Sequence, residues 1–131
     1  MVYRYNSARI DVAIFGGDAV VGQALKLRLR DVGYRARFLD ESLADEAAEL
    51  LGDANLILLG PRLSAKRREV FLSSLRSAPA TAGAPILELV VSSPDGAREG
   101  REEAVGLVPW PCRIEELRRK IKASLNGAYS R

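Results

Sequence analysis

Apolar runs alternate with segments of helical period along this chain. Ile10 to Phe15 is a short apolar run closed by Gly16-Gly17, the signature of a buried strand. From Val20 to Val32 the apolar residues Val21, Leu25, Leu29 and Val32 recur at helical spacing, and Gly33 stands where a helix commonly ends. Arg35 to Leu39 reads as a second strand. Leu43 to Leu51 reads as a helix with Ser42 as its N-cap and Gly52 as its stop. Asn55 to Leu59 is a third strand, ended by Gly60-Pro61. Ser64 caps a helix that runs through Arg76, with Phe71 and Leu75 on one face, and Pro85 to Val91 is a fourth strand. Ala97 to Ala104 is highly charged, has Gly100 in its middle and carries almost no apolar stripe, so only a short or frayed fourth helix is expected there. Gly106 to Val108 is a fifth strand cut off by Pro109-Trp110-Pro111. Ile114, Leu117, Ile121 and Leu125 then mark an amphipathic last helix. Strands that alternate with helices predict an α/β fold with a parallel sheet, whose working crevice lies at the carboxyl ends of the strands.

Composition narrows the chemistry. The 131 residues, 47% hydrophobic and 28% charged, fit one domain over 1–131 with a core at about 10–125. Histidine is absent, which removes the commonest general base and the commonest metal ligand. A single cysteine, Cys112, excludes an internal disulfide and a multi-thiolate zinc site, and its expected role is structural. No apolar stretch approaches a membrane span, and Met1 to Ser7 does not resemble a signal peptide. A cytoplasmic, reduced, non-membrane protein is expected. The charge is lopsided. Arg113 to Lys122 holds five basic and two acidic residues, whereas Asp40 to Asp53 holds six acidic residues and no basic one.

In order and spacing, several short matches resemble a response-regulator receiver domain, the flavodoxin-like phosphoacceptor module of two-component signalling. They are Val12 to Phe15, Asp18, Ala24-Leu25, Asp31-Val32-Gly33-Tyr34, Asn55 to Leu59, Pro85-Ile86-Leu87, and Pro111 followed by Ile114-Glu115-Glu116-Leu117. The resemblance covers Ile10 to Leu125 and implies a doubly wound sandwich of five parallel strands in the order 2-1-3-4-5. It also identifies what is missing. Gly16 and Gly17 stand where a receiver has its magnesium-binding acidic pair, and Gly60 stands where the phosphoacceptor aspartate belongs. Val90, with Ser92 and Ser93 just beyond, replaces the Thr or Ser that hydrogen-bonds the phosphoryl group. Trp110 replaces the lysine before Pro111, and Leu107 takes the aromatic switch position. Of the acidic neighbours only Asp18 remains. The expectation is a degenerate pocket of Gly16, Gly17, Asp18, Gly60, Val90, Trp110 and Pro111 with no metal, no cofactor and no phosphoacceptor. Magnesium wants hard oxygen ligands that glycine side chains lack. By the same resemblance the Trp110-Pro111 bond is expected to be cis.

Other features allow two readings each. Gly16 to Gly22 suggests a nucleotide loop, but its glycines fit neither the dinucleotide fingerprint nor the Walker pattern; a plain strand-to-helix turn is the alternative. Trp110 is either an exposed partner anchor or, as favoured here, a ring folded over Gly60 and the Gly16-Gly17 turn to fill the emptied pocket. The basic last helix lacks interleaved aromatics, so direct nucleic-acid binding is not expected. Lys66-Arg67-Arg68 reads as a solvated helix start. Glu88, inside an apolar strand, needs either a partner or exposure to the crevice. The function expected is a non-catalytic, phosphorylation-independent signalling module. It would contact a protein partner, or a second copy, through the face of the fourth helix, fifth strand and last helix, where Leu107, Arg113, Arg118, Arg119 and Lys122 lie. The alternative is a small-molecule or nucleotide-binding domain that uses the Gly16–Gly22 turn.

Overall fold

The computed structural model describes residues 10–79, 81–91 and 105–129. In chain order the elements are β1 (Asp11–Phe15), α1 (Ala19–Asp31), β2 (Arg35–Leu39), a 3-10 turn (Glu41–Glu46) leading into α2 (Ala47–Leu50), β3 (Leu56–Leu59), α3 (Ala65–Arg76), β4 (Ile86–Val91), β5 (Val105–Trp110) and α4 (Ile114–Tyr129). The strands form one parallel sheet in the order β2-β1-β3-β4-β5, as the resemblance implied. The weak helix expected at Ala97 to Ala104 lies outside the described residues, as do Ser92 and Ser93. No helix among the described residues is long and apolar enough to cross a membrane.

Apart from Asp11 at the start of β1 and Glu88 in β4, the three inner strands are apolar on both faces because both faces are covered. Val12, Ile14, Leu56, Leu58, Leu87, Leu89 and Val108 pack with Leu25 and Leu29 of α1 and with Leu117, Ile121 and Leu125 of α4. The alternate residues Ala13, Phe15, Ile57 and Leu59 face α2 and α3, where Phe71 stacks on Phe15 at 3.8 Å between ring centroids. Period-two alternation along each strand thus feeds two separate cores.

Three local expectations are corrected. The cap of the segment after β2 is Asp40, whose carboxylate accepts from the Ser42 N–H, and the segment begins as 3-10 rather than as α-helix at Leu43. Aspartate is as good a cap as serine, and it stands where the chain leaves the strand. The fifth strand does not stop before Pro109. It runs to Trp110, with Pro109 beside Val90 and Trp110 beside Val91. This strand is at the sheet edge, where the missing N–H of proline costs little. Arg68 is not solvated with Lys66 and Arg67: it is buried. It precedes Phe71, Leu72 and Leu75 at spacings of three, four and seven, which puts it on the inward face of α3.

Candidate functional site

The carboxyl end of the sheet is built from two strand ends that meet. After β1 the chain turns through Gly16 and Gly17, whose φ angles of 69° and 74° favour glycine. After β3 it passes Gly60 and Pro61. These two segments touch backbone to backbone. A Cβ on Gly60 would collide with the Gly16 carbonyl oxygen, and one on Gly17 would meet the Pro61 carbonyl oxygen and stand 2.8 Å from the Gly60 carbonyl carbon. The space that a side chain would need is closed by main chain at Gly17 and Gly60, and is bordered by the Leu63 and Glu41 side chains at Gly16.

Most amide donors of this turn are also committed. Gly16 N–H donates to the Leu39 carbonyl at 2.8 Å, Asp18 N–H to the Pro61 carbonyl at 3.1 Å and Gly60 N–H to the Phe15 carbonyl at 2.9 Å. Gly17 N–H donates to Glu41 Oε1 at 3.3 Å. Asp18 caps α1, its Oδ1 accepting from Val20 at 2.9 Å and Val21 at 3.3 Å. An anion at this helix start would have to displace carboxylates and carbonyls from every one of these donors. Gly22 serves packing, since a Cβ there would strike the Phe38 ring. The donor set does not fit the magnesium ion of a receiver either. Gly16, Gly17 and Gly60 contribute no side-chain oxygen, and Asp18 and Glu41 already bind backbone N–H groups. Among the described residues no group of three or more carboxylates, thiols or imidazoles could hold a metal.

Trp110 is elsewhere. Its ring packs on the α1/α4 side of the sheet, half-buried against that core, and with Val20, Val21 and Ile114 it lines a cavity there. The expected filling of the emptied pocket by Trp110 is therefore corrected: backbone meets backbone at Gly17 and Gly60, and the ring lies with the α1/α4 core. The Trp110-Pro111 bond is cis. Val90 is half-buried at the end of β4 and Pro111 is exposed. Of the expected pocket, Gly16, Gly17, Asp18 and Gly60 thus come together in one turn, while the Trp110 side chain faces away from it. The Cys112 thiol is pushed up from its ordinary pKa by burial and, less, by the charge of Glu116.

Glu88 is buried and finds a partner that sequence spacing did not pair with it. Arg68 Nε donates to Glu88 Oε1 at 3.1 Å, which ties α3 to β4. An arginine one helical turn before a buried phenylalanine was the available signal. Glu41 was also missed, although an acidic residue just beyond the end of β2 is placed to reach the same crevice. On the proposed contact face Leu107 is half-buried and Arg113, Arg119 and Lys122 are exposed. Arg118 is half-buried, and its Nε is buried without a hydrogen-bond partner among the described residues.

No protein-family model matches the chain. No curated protein matches it. Solved structures do. The Vibrio cholerae chemotaxis protein CheY4 superposes with a TM-score of 0.71 at 21% identity, over 88% of this chain and 98% of that one. The receiver domain of a sensor histidine kinase from Pseudomonas aeruginosa, with a magnesium ion coordinated in its active-site cleft, gives 0.73 at 20% identity over 90% and 98%. A response regulator receiver protein from Sinorhizobium medicae gives 0.66 at 13% identity over 92% and 97%. At these identities the likeness is one of fold: the chain has the receiver-domain fold.

Proposed function

We propose that this receiver-fold domain is a non-enzymatic module of a two-component-type signalling or transcription-regulatory system. It works without aspartyl phosphate and acts by binding a protein, or a second copy of itself. The contact of the Gly16 carbonyl with Gly60 carries this reading, because it leaves no space for an acceptor side chain where the fold would present one. Acyl-phosphate chemistry needs a carboxylate nucleophile, a metal and a counter-charge. Glycine stands at the first two sets of positions, and Trp110 stands where the counter-charge is expected. The single thiol, with no partner for a disulfide, fits a reducing cytoplasmic setting.

The contact face we favour runs along β5 and α4. Arg113, Arg119 and Lys122 give it a positive exposed surface beside the strand edge, which suits an acidic partner. Binding of a nucleotide at the Gly16–Gly22 turn is the weaker reading, since the N–H groups of Gly16, Gly17, Asp18, Val20 and Val21 already have acceptors.

The test is incubation with acetyl phosphate and Mg²⁺ followed by intact-mass measurement. The expected spectrum shows no phosphoryl adduct. A stable adduct that requires Mg²⁺ overturns the reading.

A further inference from the structure

A cavity of about 300 Å³ lies between α1 and α4, beside the end of β5. Leu25 and Leu117, both buried, close its depth, and half-buried Val21, Trp110 and Ile114 form its walls. Val20 stands at its rim, 79% exposed although it is a large apolar side chain. Among the described residues, Arg28 and Arg113 are the only charged ones that line it. Both are exposed, and neither has an ion pair or side-chain hydrogen bond among the described residues. No described acidic side chain lines the cavity.

We propose that this cavity binds a small organic monoanion, with its aromatic or medium-chain aliphatic body against Trp110 and its carboxylate or sulfonate held by Arg28 and Arg113. The volume is at the low end for ligand pockets, room for a small aromatic system or a medium chain but not for a nucleotide. Apolar walls with few convergent polar groups are the usual composition of such sites. The indole face supplies a flat apolar wall. Two guanidinium groups at the rim select an anionic head that stays partly in water, with charge-assisted hydrogen bonds. A cation or a zwitterion finds no carboxylate in this lining, and inorganic phosphate gains nothing from its walls. The Cys112 thiol, which also lines the cavity, is held neutral by burial and, less, by the charge of Glu116, which lies outside the lining. The inference goes beyond the proposed signalling role; it shares Arg113 with the proposed contact face but not the phosphate-free reading, so the mass measurement above can succeed or fail without touching it.

The probe is anilinonaphthalene sulfonate, an aromatic monoanion, added to the intact chain. Trp110 is the chain's only tryptophan, so excitation of the indole reports energy transfer to a probe beside it. The expected result is saturable binding of one equivalent with transfer from Trp110 and displacement by decanoate. Arg28→Glu and Arg113→Glu each weaken binding roughly tenfold, the worth of one charge-assisted hydrogen bond at the rim. Both positions are exposed, so the variants keep their fold, and Arg28→Lys retains most of the affinity. Backbone amide shifts on titration concentrate in α1 and the first turn of α4. Any of the following overturns the proposal: no saturable binding, binding without Trp110 transfer, equal affinity for uncharged phenylnaphthylamine, or indifference to both charge reversals.

Discussion

The carbonyl oxygen of Gly16 occupies the place that a Cβ on Gly60 would need. Main chain cannot swing aside like the tip of a side chain, so any larger residue at position 60 must push the β1–α1 turn outward. Gly60→Ala is expected to destabilise by about 1–3 kcal/mol, the usual cost of overpacking. Gly17→Ala combines a similar collision with a φ of 74° and costs more. Gly60→Asp adds a carboxylate to a closed space and restores no phosphoacceptor. Gly83→Ala is the control. It has open space and no positive φ, so it is neutral or stabilises by up to about 1 kcal/mol. Urea midpoints of the four variants read this order, and a Gly60→Ala midpoint equal to that of Gly83→Ala contradicts the closed turn.

Strand order and both packed faces were legible because strand alternation and helical spacing agree along most of the chain. The loss of carboxylates at Gly16, Gly17 and Gly60 was legible too, residue by residue. What filled their space was not. A volume argument gave the gap to the largest nearby ring, but Trp110 shares the parity of Val108 and therefore faces α1 and α4. Backbone closure is invisible to any count of side-chain volumes. The Arg68–Glu88 pair was half legible: Glu88 stood out as a misfit, while Arg68 was hidden in a run of basic residues whose first two members are exposed.

That pair is the second target. Both side chains are almost fully buried, at 10% and 6% exposure. Replacing Glu88 takes away the only ion pair of the buried Arg68 among the described residues, so Glu88→Leu alone is expected to cost about 3–5 kcal/mol, and Arg68→Met, which removes one of the interactions of Glu88, is expected to cost less. Replacing both with apolar residues of similar size removes the stranded charge, and the double variant lies well above the sum of the singles. A double-mutant cycle by chemical denaturation measures the coupling. Additive losses show that the two residues do not stabilise each other.

Acid titration probes the exposed carboxylates. The hydrogen bond from Arg37, at 2.6 Å, holds the Asp53 pKa below its ordinary value, with the arginine charge adding to it. The bonds from Ser42 do the same for Asp40. Since both folded-state values lie below the unfolded ones, the stability they contribute is present above the unfolded aspartate range and is lost as pH falls through the folded values. Asp53→Asn is expected to flatten the acid limb of the stability curve. Because Asp53 is 79% exposed, added salt should shrink the difference from wild type. An unchanged acid limb at low salt contradicts the Arg37 contact.

The contact face predicted for signalling is tested by charge reversal at residues that carry no structural burden. Arg119 and Lys122 are exposed on α4, whereas Arg118 is half-buried with its Nε enclosed, so reversing Arg118 would disturb packing as well as charge. Arg119→Glu with Lys122→Glu is expected to weaken self-association, or capture of an acidic partner, about ten- to thirtyfold at low ionic strength, taking about 1 kcal/mol for each exposed charge pair. At high salt the difference should fade, because interactions between exposed charges are screened over about 10 Å at 0.1 M salt. Lys66→Glu with Arg67→Glu makes the same change in net charge on the exposed start of α3, on the opposite face of the sheet. Sedimentation velocity of the two double variants separates the alternatives. Loss of association only in the α4 variant supports the face, equal loss in both reduces the effect to net charge, and loss in neither removes α4 from the interface.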